Sequence, residues 1–446
     1  MSAAPTPFQN LAVRSLAAVW HPCTQMARAA VVPPLAIARG EGPWLLDVEG
    51  RRYFDANSSW WVNLFGHSDP GIHQAIKDQL DRLPHVMLAG CTHEPAVTLA
   101  EKLSALTQGA LGHTFFASDG ASAVEIALKM SFHSWKNQGL AQKKEFICLR
   151  NGYHGETIGA LAVTDVAIFR DAYEPLLMQA HLVASPDSRH EGSEALALAD
   201  LRRTLSQRQG QVAAVILEPL VQCAAGMVMH SPAYLRSVRA LCDEFEVHLI
   251  ADEIAVGCGR TGTFFAWEQT HEGLSGDPVK HWPDFITLSK GISGGTLPLS
   301  LVLSTEAVFQ SFWSDEVARG FLHSHSYTGN PLACAAANAV LDRFAQAQVV
   351  AQNQIQAQHL RQALAPLAQD PRVQHWRQRG MVVAFDVVGK HDRFAERFHQ
   401  AARQHELLIR PIGQTVYVMP PYLIDAATAQ FLFEGIRRSL NEVVHG

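Results

Sequence analysis

P-D-F-I-T-L-S-K-G-I-S-G-G, residues 283 to 295, places a short apolar run directly before Lys290 and follows it with three glycines. An apolar run bounded by proline and glycine reads as a buried strand, so Lys290 stands at a strand end. Gly291, Gly294 and Gly295 leave room there for something flat or bulky. A strand-end lysine is ordinarily a solvated surface residue. Lysine is also the residue that forms Schiff bases, and partial burial lowers its pKa toward working pH. Its surroundings in the chain decide between these readings.

Upstream, further apolar runs occur at 113–118, 145–150, 212–218 and 247–253, and one more follows at 299–304. Between them lie helical patterns such as 123–135 and 233–245, with apolar residues three and four apart. Continuous apolar strands separated by helices predict an α/β fold with a mostly parallel sheet covered on both faces. W-L-L-D-V-E-G-R-R-Y-F-D, residues 44–55, predicts a hairpin turning at Glu49-Gly50. From about Asn330 the pattern is helical through Ala365, then mixes strands at 381–388 and 415–419 with two helices. We therefore divide the chain into an N-terminal segment (1–65) packing with a small α+β domain (331–446), and a large domain (66–330). Residues 271–283 read as a surface excursion between strands.

The chain has 446 residues, 48% of them hydrophobic, enough for a large core. A formal net charge of −6 argues against a nucleic-acid or anionic-membrane surface and favours small-molecule partners. No apolar run reaches the roughly 20 residues of a membrane span. The first twenty residues lack a basic segment followed by a continuous apolar one, so a cytoplasmic location is expected. The seven cysteines are scattered and never spaced C-x-x-C, which predicts reduced thiols and no metal cluster.

In open parallel sheets ligands sit beyond the carboxyl ends of the strands. At one such end, S-D-G-A-S-A-V-E (118–125) reads as a turn into a helix whose amides could hold a phosphate, or as an ordinary strand-to-helix turn. At another, L-I-A-D-E-I (249–254) sets two carboxylates after a buried strand. Asp252 either hydrogen-bonds a loop or meets a buried cation, since an unpaired charge there is costly. A phosphate cradle, a carboxylate for a cation and a Schiff-base lysine are together what pyridoxal phosphate requires.

D-E-I-A-V-G-C-G-R-T-G (252–262), the 283–295 stretch and T-G-N-P-L-A-C-A-A-A (328–337) together resemble the class III aminotransferases of the fold type I pyridoxal-phosphate enzymes, over nearly the whole chain. The resemblance implies that Lys290 forms the Schiff base and shuttles a proton. It implies that Asp252 keeps the pyridine nitrogen protonated, so that the ring acts as an electron sink. Gly120 and Ala121 match the phosphate-binding turn, with Ser122 beside it, and Ala121 stands where a serine is familiar. Tyr153, in N-G-Y-H-G-E-T (151–157), matches the aromatic that stacks on the ring; on its own it reads as a half-buried loop residue. Ile254 is implied on the opposite ring face, and Glu218 as a support behind the cofactor. In F-L-H-S-H-S-Y-T-G-N-P (321–331), Ser324 and Ser326 match donors that reach the phosphate of a neighbouring subunit, which implies a homodimer with shared active sites. The familiar pattern there is Gly, Pro and Thr, and H-S-H reads as a polar loop, not a metal site.

W-H-P-C-T-Q-M (20–26), N-S-S-W-W (57–61) and I-R-P-I-G-Q-T-V-Y-V-M-P-P-Y (409–422) resemble, in that order, the members of this family that aminate a biotin precursor. That implies transfer from S-adenosylmethionine to 8-amino-7-oxononanoate. A sulfonium with a flat adenine suits aromatic surfaces, and Trp60 and Trp61 are the candidate channel walls, with core packing as the alternative. Arg410 is the candidate carboxylate clamp, since a guanidinium grips both oxygens; a surface ion pair is its plain reading. Arg260 reads as a structural ion-pair residue near the pocket. Tyr417 and Cys23 are implied near the substrates, as are Tyr153, Lys290 and Ser324, with Cys23 in place of a familiar tyrosine. An ω-amino acid:pyruvate transaminase would share every cofactor residue and is the alternative.

Overall fold

The computed structural model describes residues 9–274 and 278–444. Seven strands form the main sheet: β1 (His113–Ala117), β2 (Glu145–Leu149), β3 (His181–Val183), β4 (Val212–Leu217), β5 (His248–Asp252), β6 (Phe285–Leu288) and β7 (Ser300–Ser304). Their order across the sheet is β1-β7-β6-β5-β4-β2-β3. All pair in parallel except β7, which is antiparallel to both neighbours. Every residue of β4, β5, β6 and β7 is buried. A strand covered on both faces has no polar side to show, which is why these segments read as continuous apolar runs. The three-residue edge strand β3 is too short to leave such a run.

Helices cover the faces. Gly120–Asn137 buries Ala123, Val124, Ala127, Met130, Ser131 and Ser134, a stripe at three- and four-residue spacing, against the sheet. Asp119 caps it by accepting from the Ser122 amide. Pro232–Glu244 starts on a Ser231 cap and buries Leu235, Val238, Leu241 and Cys242.

The N-terminal hairpin forms as expected, Trp44–Asp47 against Arg52–Asp55 around Gly50 in the left-handed region. Its second strand pairs in parallel with Leu407–Leu408, so the two ends of the chain share a sheet. Val373–Arg379, Val382–Val387 and Thr415–Val418 form a separate antiparallel sheet. The helices Pro331–Gln346 and Val349–Leu364 occupy the region predicted helical, and the first packs on the helices Pro70–Arg82 and Glu94–Leu106. We propose an organisation divided at about residues 65 and 330. The excursion at 271–283 is bounded by 3₁₀ turns at Ala266–His271 and Pro278–His281. Its residues 275–277 lie outside the described residues, as do residues 1–8, part of the first twenty on which the expectation of a cytoplasmic location rests. Among the described residues no helix is long and apolar enough to cross a membrane.

What positions the site is strand direction. β1, β2, β4, β5 and β6 all run the same way, so the segments after Ala117, Leu149, Leu217, Asp252 and Leu288 emerge along one edge. Asp252 lies opposite Thr287 in the register of β5 and β6, which sets Lys290 beside it.

Candidate active site

A cavity of about 600 Å³ opens along that edge. Lys290, Asp252, Tyr153, Gly120, Ala121, Glu218, Ile254, Cys23, Trp60 and Trp61 all line it, drawn from segments more than 250 residues apart in sequence.

Asp252 is buried, and three donors converge on its carboxylate. The Ile254 amide and the Thr287 hydroxyl donate to Oδ1, each at 3.1 Å, and His154 Nδ1 lies 2.7 Å from Oδ2. The other ring nitrogen of His154, Nε2, is buried without a partner among the described residues. His154 was not singled out in the sequence, although it follows Tyr153 in a loop leaving a buried strand.

Lys290 Nζ sits 5.2 Å from the centre of the Trp61 ring. Burial pulls its pKa below the ordinary lysine value, and the attraction of Asp252 only partly opposes this. Its backbone is left-handed, φ +45°, a conformation costly for a side-chain-bearing residue and concentrated at functional sites. Glu218, also buried, accepts from the amides of Tyr153 (3.1 Å) and Cys223 (2.9 Å). Burial nevertheless pushes its pKa up to about 7.

At the Gly120 turn a Cβ would meet Ile254 at 3.1 Å, so glycine lets the helix start approach the cavity wall. Gly155, at φ +126°, lies closer still: a Cβ would be 2.6 Å from that of Ala121. Ser122 does not line the cavity, because Asp119 takes both its amide (2.9 Å) and its hydroxyl (2.7 Å).

The segment 58–61 has four consecutive residues in the left-handed region. Asp55 accepts from the Ser59 amide and hydroxyl, and the Ser58 hydroxyl donates to the Met419 carbonyl, which hold this otherwise unfavourable path. The result splits the tryptophan pair. Trp61 is buried and donates to the Tyr417 hydroxyl at 3.0 Å, whereas Trp60 is 48% exposed at the cavity mouth. The Arg410 guanidinium lies 5.7 Å from the Trp60 ring centre, beside the mouth rather than on the wall. Tyr417 lies behind Trp61, off the wall.

Among the described residues Arg260 meets no carboxylate at ion-pair distance and binds backbone carbonyls instead. Fully buried, it donates to the carbonyls of Pro420 (2.6 Å), Trp61 (3.3 Å) and Asn63 (2.7 Å), tying together two loops at the cavity floor. Sequence position could not reveal acceptors that are backbone atoms brought in by folding.

Ser324 and Ser326 are exposed and away from the cavity within this chain. Cys23, with φ +47°, meets the cavity beside Pro22, and burial together with nearby Glu156 raises its thiol pKa. His21 Nε2 lies 3.0 Å from the Ser15 hydroxyl. Among the described residues no three His, Cys, Asp or Glu side chains are grouped to hold a metal ion, and all seven cysteines are free thiols.

The pattern of the family described as aminotransferase class-III matches residues 25–440. The chain belongs to the class III aminotransferases. Within this family it is 42% identical, over 98% of its length and 99% of the relative's, to the adenosylmethionine-8-amino-7-oxononanoate aminotransferase of Helicobacter pylori. It is 35% identical to the protein of that name from Geobacter sulfurreducens, with 96% of each covered. Among solved structures, the adenosylmethionine-8-amino-7-oxononanoate aminotransferase of Methanocaldococcus jannaschii superposes with a TM-score of 0.90 at 33% identity, covering 97% and 99% of the two chains. An omega-transaminase from Thermomicrobium roseum gives 0.91 at 29% identity, covering 98% of each. The fold type I architecture is thus that of the family.

Proposed function

We propose that the chain is a pyridoxal-phosphate aminotransferase that takes its amino group from S-adenosylmethionine and gives it to 8-amino-7-oxononanoate, forming 7,8-diaminononanoate for biotin synthesis in the cytoplasm. The observation that carries the reading is one cavity joining Lys290, the triply hydrogen-bonded Asp252 and the Gly120 turn to a mouth built from the Cys23, Trp60 and Arg410 segments.

The donor set fits the cofactor. Gly120 and Ala121, at a helix N-terminus, would take its phosphate. Asp252 would take the protonated ring nitrogen, Tyr153 and Ile254 the two ring faces, and Lys290 the aldehyde carbon. Bound there, the cofactor supplies an electron sink that acidifies the bond next to the transferred nitrogen.

The protein's own residues do the rest. Lys290, its ammonium form disfavoured by burial, would serve as the general base that takes a proton from the substrate carbon. His154 fixes the rotamer of Asp252, so the carboxylate does not swing away from the ring. Trp60 presents a face to the sulfonium and adenine of the donor. Arg410 stands where the carboxylate of the long-chain acceptor would emerge. Trp61 and Tyr417 seal the wall against water. We further propose a homodimer in which Ser324 and Ser326 reach the cavity of the partner subunit.

An ω-amino acid:pyruvate activity is the competing reading, because fold similarity is as high for such enzymes; identity to the biotin-pathway relatives, 42%, is higher than the 29% to the omega-transaminase. The test is to add S-adenosylmethionine, alanine and lysine separately to the cofactor-loaded protein and follow its visible absorption. We expect S-adenosylmethionine to convert the band. Conversion by alanine or lysine but not by S-adenosylmethionine would overturn the donor assignment.

A further inference from the structure

Ser118, directly before the Asp119 cap and the Gly120 turn, lines the cavity, and its hydroxyl lies 3.2 Å from His325 Nε2. His325 comes from the 321–331 loop, distant in sequence, and is firmly held. Its amide donates to the Thr328 hydroxyl (3.1 Å), its carbonyl accepts from that same hydroxyl (2.8 Å), and its ring Nδ1 accepts from the Tyr327 amide (3.2 Å). The last bond fixes the tautomer. A ring nitrogen that accepts carries no proton, so in the neutral imidazole the proton is on Nε2 and is donated to Ser118 Oγ. An oxygen that accepts from histidine keeps its own hydrogen to give. Among the described residues the Ser118 hydroxyl has no other partner, and the space it adjoins is the cavity.

We propose that Ser118, oriented by His325, is a further phosphate-binding residue: its hydroxyl donates to the anionic end of the cofactor next to the amides of Gly120 and Ala121. His325 is then a positioning residue that acts through Ser118. This replaces the expected role of Ser122, whose hydroxyl is committed to Asp119. The inference rests on the cofactor reading above.

The test is equilibrium titration of cofactor-free protein with pyridoxal phosphate and, separately, with pyridoxal, which lacks the phosphate. Ser118→Ala should weaken pyridoxal phosphate by about tenfold or more, the factor carried by one hydrogen bond to a charged group, and leave pyridoxal unchanged. Ser118→Thr, which keeps the hydroxyl, should bind pyridoxal phosphate nearly as the wild type does. His325→Leu should weaken pyridoxal phosphate alone, and adding it to Ser118→Ala should cost nothing further, because the histidine acts only through the serine. Unchanged phosphate affinity in Ser118→Ala, equal weakening of both ligands, or additive losses in the double variant would overturn the proposal. Failure of the wild-type protein to take up pyridoxal phosphate at all would instead overturn the cofactor reading beneath it.

Discussion

Lys290 illustrates how burial gives a residue its chemistry. The side chain is alkylammonium by default, and desolvation shifts it toward the neutral amine that can attack a carbonyl or take a proton. Two outcomes follow at this scale. In cofactor-free protein, the pH at which Lys290 reacts with pyridoxal phosphate should lie below the ordinary lysine value of 10.5. Asp252→Asn should lower that midpoint further, because the carboxylate is the chief group favouring the ammonium. Initial rates of band formation against pH measure both, and Lys290→Ala should show no lysine-dependent band. The second outcome concerns His154. Removing it with His154→Phe leaves Asp252 two donors of three, at a cost of about 1–3 kcal/mol in cofactor affinity. Fluorescence titration of cofactor uptake checks this, and an unchanged dissociation constant would show that His154 does not position the carboxylate.

Strands and turns set the site at the next scale. The apolar runs are legible because a strand buried on both faces has no polar side to show, and four of the seven strands of the main sheet are buried along their whole length. What the sequence concealed was backbone path: the four left-handed residues at 58–61 send one tryptophan inward and the next to the mouth, and no local rule specifies this. The Gly155 turn tests the idea that backbone approach shapes the cradle. Gly155→Ala adds a methyl 2.6 Å from Ala121 at a positive φ, whereas Gly139→Ala, also at positive φ, meets nothing within 4 Å. We expect the first to destabilise by about 2–3 kcal/mol and weaken cofactor binding, and the second to cost about 1 kcal/mol with binding intact. Denaturant midpoints and cofactor titration separate the two.

The whole molecule is tied together by contacts that no segment announces. Asp386, in the antiparallel sheet of the C-terminal region, is bound by Arg377 at 2.9 Å, Arg189 at 3.0 Å, His375 at 2.9 Å and the Thr415 hydroxyl at 2.8 Å. Arg377 also donates to the Met227 and Gly226 carbonyls, so the cluster bridges the C-terminal sheet to the loop beyond β4. Despite burial, Arg377 and its neighbours hold the Asp386 pKa below its ordinary 3.8. A depressed carboxylate pKa contributes stability that is complete above the ordinary value and lost as pH falls through the folded one. The thermal midpoint of the wild type should therefore drop as pH falls below about 4. Arg377→Leu should cost about 3 kcal/mol at neutral pH and show a shallower acid-side drop, measured by calorimetry across pH.

By itself, the sequence determined the α/β architecture and the edge along which the candidate residues gather, because periodicity follows from burial, Asp252 ends one buried strand and Lys290 follows the end of another. Only the tertiary structure decided the rest. Arg260 grips backbone carbonyls instead of a carboxylate, His154 holds Asp252, Ser122 turns to Asp119, and His325 reaches Ser118 from 207 residues away. These are hydrogen bonds between segments that meet only when the sheet assembles. Their partners are fixed by distance and direction in space, which composition and spacing along a chain do not encode.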